Sequence, residues 1–117
     1  MKLTPEQIQK IIDYQIVVDC YSKDEANMGW VIYMEENLHY PFTAEYWVRK
    51  RSGKSHWKKV KVIGNETSED DFEGGEYYVK IKIKGMIIPA SLGELRNIEA
   101  DEKTLETLQI WRSEFGE

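Results

Sequence analysis

One cysteine, Cys20, stands in 117 residues, so no disulfide can close within the chain, as expected for a protein of the reducing cytosol. Histidine is almost as scarce: His39 and His56 are the whole supply. One thiol and two scattered imidazoles do not make a zinc-binding set. Neither histidine lies in a nucleophile motif, and no catalytic triad can be assembled; no catalytic residue is assigned, and no enzyme is expected. The chain holds eight glycines and three prolines, and none of the glycines builds a phosphate-cradling or dinucleotide loop. No apolar run approaches the roughly 20 residues that span a bilayer. The N-terminal stretch MKLTPEQIQK lacks the apolar core of a signal peptide. A cytoplasmic protein away from membranes is the expectation, and neither repeats nor low-complexity segments interrupt it.

What the chain does have is apolar bulk and charge. Hydrophobic residues make up 41% and aromatic residues 12%, with four Trp and seven Tyr, enough for one domain with a real core. Charged residues make up 32%, and 21 acids against 16 Lys and Arg leave a net charge of -5. That sign disfavours nucleic acid, whose phosphates need cationic contacts, and favours cations or basic partners.

Local signals divide the chain in order. Thr4, Pro5 and Gln7 form a capping box with proline at the first helical position, and Ile8, Ile11, Ile12 and Ile16 follow at helical spacing. A helix over about 5–17 is predicted. Ser22 and Glu25 repeat the capping signal for a second helix over about 23–38, stopped by Pro41. Gly29 interrupts that helix, which points to close packing against a neighbour. From Phe42 the period changes to two. Strands are predicted over about 42–51, 56–64, 76–84 and 86–89, with Tyr77, Val79, Ile81 and Ile83 alternating against polar residues most clearly. The stretch PASLGELRNI reads as an irregular, 3₁₀-like turn. A last helix over about 102–114 carries Leu105, Leu108, Trp111 and Phe115 as its apolar stripe. The expected fold is α+β: a small antiparallel SH3-like β-barrel flanked by two N-terminal helices and one C-terminal helix, in a single domain over 1–117.

Three features could carry function. The stretch ETSEDDFEGGE, residues 66–76, holds six carboxylates and no Lys or Arg. Calcium needs only oxygen donors, about 6–8 of them, and Gly74 and Gly75 free the backbone to turn carbonyls inward. Glu69, Asp71, Glu73 and Gly74 imitate positions one, three, five and six of an EF-hand loop, but position twelve falls on Lys80 and the flanks are strand-like. Any site here therefore lies outside an EF-hand. Glu35 and Glu36 end the second helix, where the helix dipole is negative, and no Lys or Arg follows until Arg49. On residue types alone, solvated charge and a cation site both stay open. The third feature is basic: RKRSGKSHWKKVK, 49–61, holds seven Lys and Arg and no acid. With Tyr46, Trp47, Arg49, Lys50, Arg51, Trp57 and Lys58, the hairpin 46–61 reads either as an interaction surface for an acidic protein or nucleic acid, or as lysines that guard an edge strand. It could also partner the chain's own acidic loop.

Together, three stretches resemble a known family. Residues 17–46, VVDCYSKDEANMGWVIYMEENLHYPFTAEY, are similar to the small cyanobacterial-type calcium-binding proteins of the CcbP-like family, through Val18, Asp19, Tyr21, Glu25, Met28, Gly29, Trp30, Tyr33, Glu35, Leu38, Pro41, Phe42 and Ala44. IKIKGMIIPASLGEL (81–95) and ADEKTLETLQIW (100–111) resemble its strand pair and terminal helix. The family's terminal DWHYW is reduced here to Ile110–Glu114. The resemblance implies a non-enzymatic, EF-hand-free calcium-binding protein, a cytosolic buffer or sensor with Ca²⁺ as its ligand. Glu35 carries over by motif. Glu36, Asp70, Asp71 and Glu73 are expected metal ligands by their chemistry and place.

Overall fold

The computed structural model describes residues 3–49, 53–67 and 72–116. Its three helices and five strands run in the order α1 (Pro5–Ile11), α2 (Lys23–Asn37), β1 (Phe42–Arg49), β2 (Ser55–Asn65), β3 (Tyr78–Ile83), β4 (Met86–Ser91), β5 (Arg96–Glu99) and α3 (Glu102–Phe115).

Each helix starts where a side chain satisfies its free amides. Thr4 Oγ1 accepts from Gln7 N at 3.2 Å while Gln7 Oε1 accepts from Thr4 N at 2.9 Å, a complete capping box. Ser22 Oγ accepts from Glu25 N at 3.2 Å. Asp101 Oδ1 accepts from Thr104 N at 2.8 Å. The single helix predicted over 5–17 is instead α1 followed by a π-helical turn, Ile12–Ile16. That wider turn presents the Ile16 carbonyl to α2. A Cβ at Gly29 would stand 2.2 Å from that oxygen, so glycine is what lets the two elements touch. Cys20 is half-buried beside this contact.

The sheet order is β4-β3-β2-β1-β5, antiparallel throughout. This corrects two expectations. A fifth strand, Arg96–Glu99, pairs with β1 where only a turn was predicted; the 3₁₀ turn itself is confined to Leu92–Glu94. The SH3-like barrel is not formed either. β4 and β5 are the two edges, and among the described residues no ladder joins them, so the sheet stays open.

The inner face of the sheet carries Phe42, Ala44, Val60, Val62, Val79, Ile81 and Ala90, all buried. Against it pack Ile8, Ile12 and Ile16 from the N-terminal helical segment, Trp30, Val31 and Met34 from α2, and Leu108, Ile110 and Trp111 from α3. Of the stripe expected on α3, Leu108, Trp111 and Phe115 pack on the core and only Leu105 does not. Leu105 is 43% exposed, and the fully buried Thr104 and Thr107 take the inward positions. They can do so because each hydroxyl is matched: Thr104 Oγ1 accepts from His39 N at 2.9 Å, and Thr107 Oγ1 donates to Lys103 O at 2.8 Å. No helix among the described residues is long and apolar enough to cross a membrane.

Candidate metal centre

The acidic stretch 66–76 is pinned at both ends. At its start, Asn65 closes a turn on Thr67: Thr67 N donates to Asn65 Oδ1 at 3.0 Å, and Asn65 Nδ2 donates to Thr67 O at 3.2 Å. Thr67 Oγ1 donates to Tyr78 O at 3.0 Å and accepts from Tyr78 N, which fixes the turn to β3. At its far end Phe72 is wholly buried, with Trp30, Tyr77 and Phe115 around its ring. Gly75 O accepts from Trp111 Nε1 at 2.9 Å, and a Cβ at Gly75 would fall 2.2 Å from the Phe115 ring. Phe72 was not singled out from the sequence. A lone aromatic inside an acidic run was the available signal.

Asn65 makes one more bond. Its Nδ2 donates to Glu35 Oε1 at 2.9 Å, so the carboxylate on the last turn of α2 sits over the entrance to the acidic stretch. Helix end and loop base therefore meet, through a residue that carries no charge and no sequence signal. Glu36, one position on and about 100° around the helix, is exposed on the same turn. Two carboxylates of the stretch already have partners: Glu66 pairs with Lys80 at 3.6 Å, and Glu76 Oε2 accepts from Ser91 Oγ at 3.1 Å. Of the other expected ligands, Asp70 and Asp71 lie outside the described residues, and Glu73 opens a 3₁₀ turn, Glu73–Gly75. Among the described residues no three Asp, Glu, His or Cys side chains converge as a metal-binding group. Among the described residues no ion pair joins the basic hairpin to the acidic loop, an option the sequence had left open; Lys59 pairs with Glu99 at 3.1 Å, and Lys50 and Arg51 lie outside the described residues.

Behind Glu35 lie two phenols. The hydroxyl oxygens of Tyr40 and Tyr77 are buried and complete no hydrogen bond of good geometry, although they lie close enough to influence each other and to feel the Glu35 carboxylate. Burial is the main reason the Tyr40 hydroxyl titrates at about 12 rather than 10, with Glu35 adding to it. Burial, then Tyr40, then Glu35 push Tyr77 higher still. Both stay neutral donors at any physiological pH. Phe42, which opens β1, is 4% exposed and stacks on Tyr40 at 5.6 Å.

An exposed carboxylate at the base of a carboxylate-rich stretch, with two buried, unpartnered phenol hydroxyls near enough to feel it, suits a hard, oxygen-liganded cation that keeps part of its water.

A family model described as calcium binding, of the CcbP type, matches residues 10–113. The crystal structure of Anabaena CcbP is similar at 25% identity and a TM-score of 0.81, over 98% of this chain and 94% of that one. A second solved structure, of a calcium binding protein in the calcium-binding form, is similar at 26% identity and a TM-score of 0.73, over 92% of this chain and 88% of that one. No curated protein matches the chain.

Proposed function

Because the chain belongs to the CcbP family of calcium-binding proteins, we propose that it takes up Ca²⁺ where the end of α2 meets the acidic stretch 66–76. The reading makes Glu35 the anchoring carboxylate, with Asp70, Asp71 and Glu73 supplied by the stretch and Glu36 by the exposed side of the helix end. The observation that supports it most is the Asn65 bridge, which brings Glu35 to the base of the stretch at 2.9 Å. A cation there relieves two costs at once: acids at a negative helix end, worth about 0.3–1 kcal/mol each, and repulsion among neighbouring carboxylates. The match to a calcium-binding family model supports reading the protein as a binder, a cytoplasmic single-domain calcium binder outside the EF-hand class.

The ligand assignment is tested by Asp70→Asn combined with Asp71→Asn, followed by calorimetric calcium titration. Removing two ligand charges is expected to weaken affinity at least a hundredfold. Unchanged affinity would remove the stretch from the site. A buffering role further predicts that amide exchange outside 65–77 is the same with and without calcium, because a sensor requires different affinity in two shapes.

A further inference from the structure

At the end of the sheet away from Glu35, the open edge leaves a groove of about 1070 Å³. Its walls are apolar: Tyr46 and Trp57 from β1 and β2, Ile83 from β3, and Met86 and Ile88 from β4. Trp47 also borders it, 41% exposed, and meets Trp57 edge-to-face at 5.3 Å across the β1–β2 register. Met86 is 60% exposed, and Ile87 beside it 58%. An apolar groove of this size with the exposed Met86 at its mouth, on an otherwise highly charged protein, marks an interaction site.

The charge around this groove runs against that of the whole chain. Arg49 and Lys84 stand at its rim against a single acid, Glu94. On the opposite face of the sheet Trp57, Lys59 and Lys61 alternate along β2, with Lys82 directly opposite Lys61 on β3. Like charges facing each other across a ladder are destabilising. Among the described residues none of Arg49, Lys61, Lys82 and Lys84 is in an ion pair, whereas Lys59 and Arg96 on the same face are matched by Glu99 and Glu45. Lys84 also holds a positive φ of 48°, a hairpin position usually given to Asn or Gly.

We propose that this groove binds an extended acidic segment of a partner protein, with apolar side chains seated against Tyr46, Ile83, Met86 and Ile88 and carboxylates on Arg49 and Lys84. The lining selects a peptide over a nucleic-acid strand. Half of the wall is aliphatic, the face of Trp57 is already covered by Arg96 at 3.8 Å, and the Trp47–Trp57 pair is edge-to-face, so no open stacking platform is offered. A net charge of -5 also repels a continuous phosphate chain more than a few spaced carboxylates.

The test uses the full chain and a capped twelve-residue peptide of repeating Glu-Pro-Leu-Glu, followed by tryptophan fluorescence and calorimetry. Saturable binding that weakens with added salt is expected. Arg49→Glu with Lys84→Glu is expected to lower affinity at least tenfold without changing the melting temperature, since both side chains are exposed. Met86→Asp, equally exposed, gives an independent loss. Four results overturn the proposal: no binding at low salt, equal binding of the peptide with Lys for Glu, tighter binding of oligouridylate than of the peptide, or concentration-dependent dimerisation that the peptide does not compete with.

Discussion

The side-chain amide of Asn65 donates to the Glu35 carboxylate at 2.9 Å, across 30 residues of chain. The same amide nitrogen donates to Thr67 O, and its carbonyl accepts from Thr67 N. One uncharged side chain thus sets both the mouth of the acidic stretch and the position of the helix-end acid. Asn65→Ala removes a hydrogen bond to a charged group, worth about 1.5–3 kcal/mol, and frees the turn. Calcium affinity by calorimetry is expected to fall about tenfold or more. Full affinity in this variant would separate Glu35 from the site.

Phe72 fixes the other end of the stretch. It is fully buried among Trp30, Tyr77 and Phe115. Phe72→Ala opens a cavity there and is expected to cost about 3–5 kcal/mol in chemical denaturation. Calcium should also bind more weakly to the folded fraction, because a ligand-bearing segment with one loose end must be ordered on binding.

Gly29 gives a prediction whose sign opposes helix propensity. Alanine is better than glycine inside a helix by about 1 kcal/mol. Here its Cβ would meet the Ile16 carbonyl at 2.2 Å. The π-turn must move away, and such overpacking costs about 1–3 kcal/mol. Gly29→Ala is expected to lower the melting temperature; a rise would mean that α2 does not rest on Ile16.

Asp101 couples stability to acid pH. The Thr104 and His39 hydrogen bonds hold its carboxyl at about 2, against an ordinary 3.8. A carboxylate that is more acidic when folded stabilises the protein above the unfolded value and loses that contribution as pH falls through the folded one. The stability gap between wild type and Asp101→Asn, measured by denaturant unfolding, is therefore expected to be full above about pH 4 and to close between about pH 4 and pH 2. A gap that stays constant over this range would break the link.

Much of this architecture was legible in the sequence because its causes are local. The Thr4–Gln7 box, the Ser22 cap and the alternation from Tyr77 to Ile83 depend on residues within a few positions of one another, and each element forms where those residues stand. β5 was not legible, because Arg96–Glu99 has no alternation of its own and becomes a strand only by pairing with Thr43 and Glu45 some fifty residues earlier. The inward place of Thr104 on α3 was missed for a related reason. Thr104 is acceptable in the core only once His39 N supplies its hydrogen bond. The sequence picked out Glu35 and the acidic stretch separately, by charge. What joins them is Asn65, a residue with nothing in its own neighbourhood to mark it.

Calcium titration by calorimetry into chelator-treated protein, with magnesium as the control ion and Glu35→Gln alongside, tests the central claim most directly. The account predicts saturable heat for calcium at micromolar to sub-millimolar concentrations, poorly matched by magnesium, and a marked loss of affinity in Glu35→Gln. Calcium binding of equal strength in Glu35→Gln, or no calcium heat in the wild type, would contradict it.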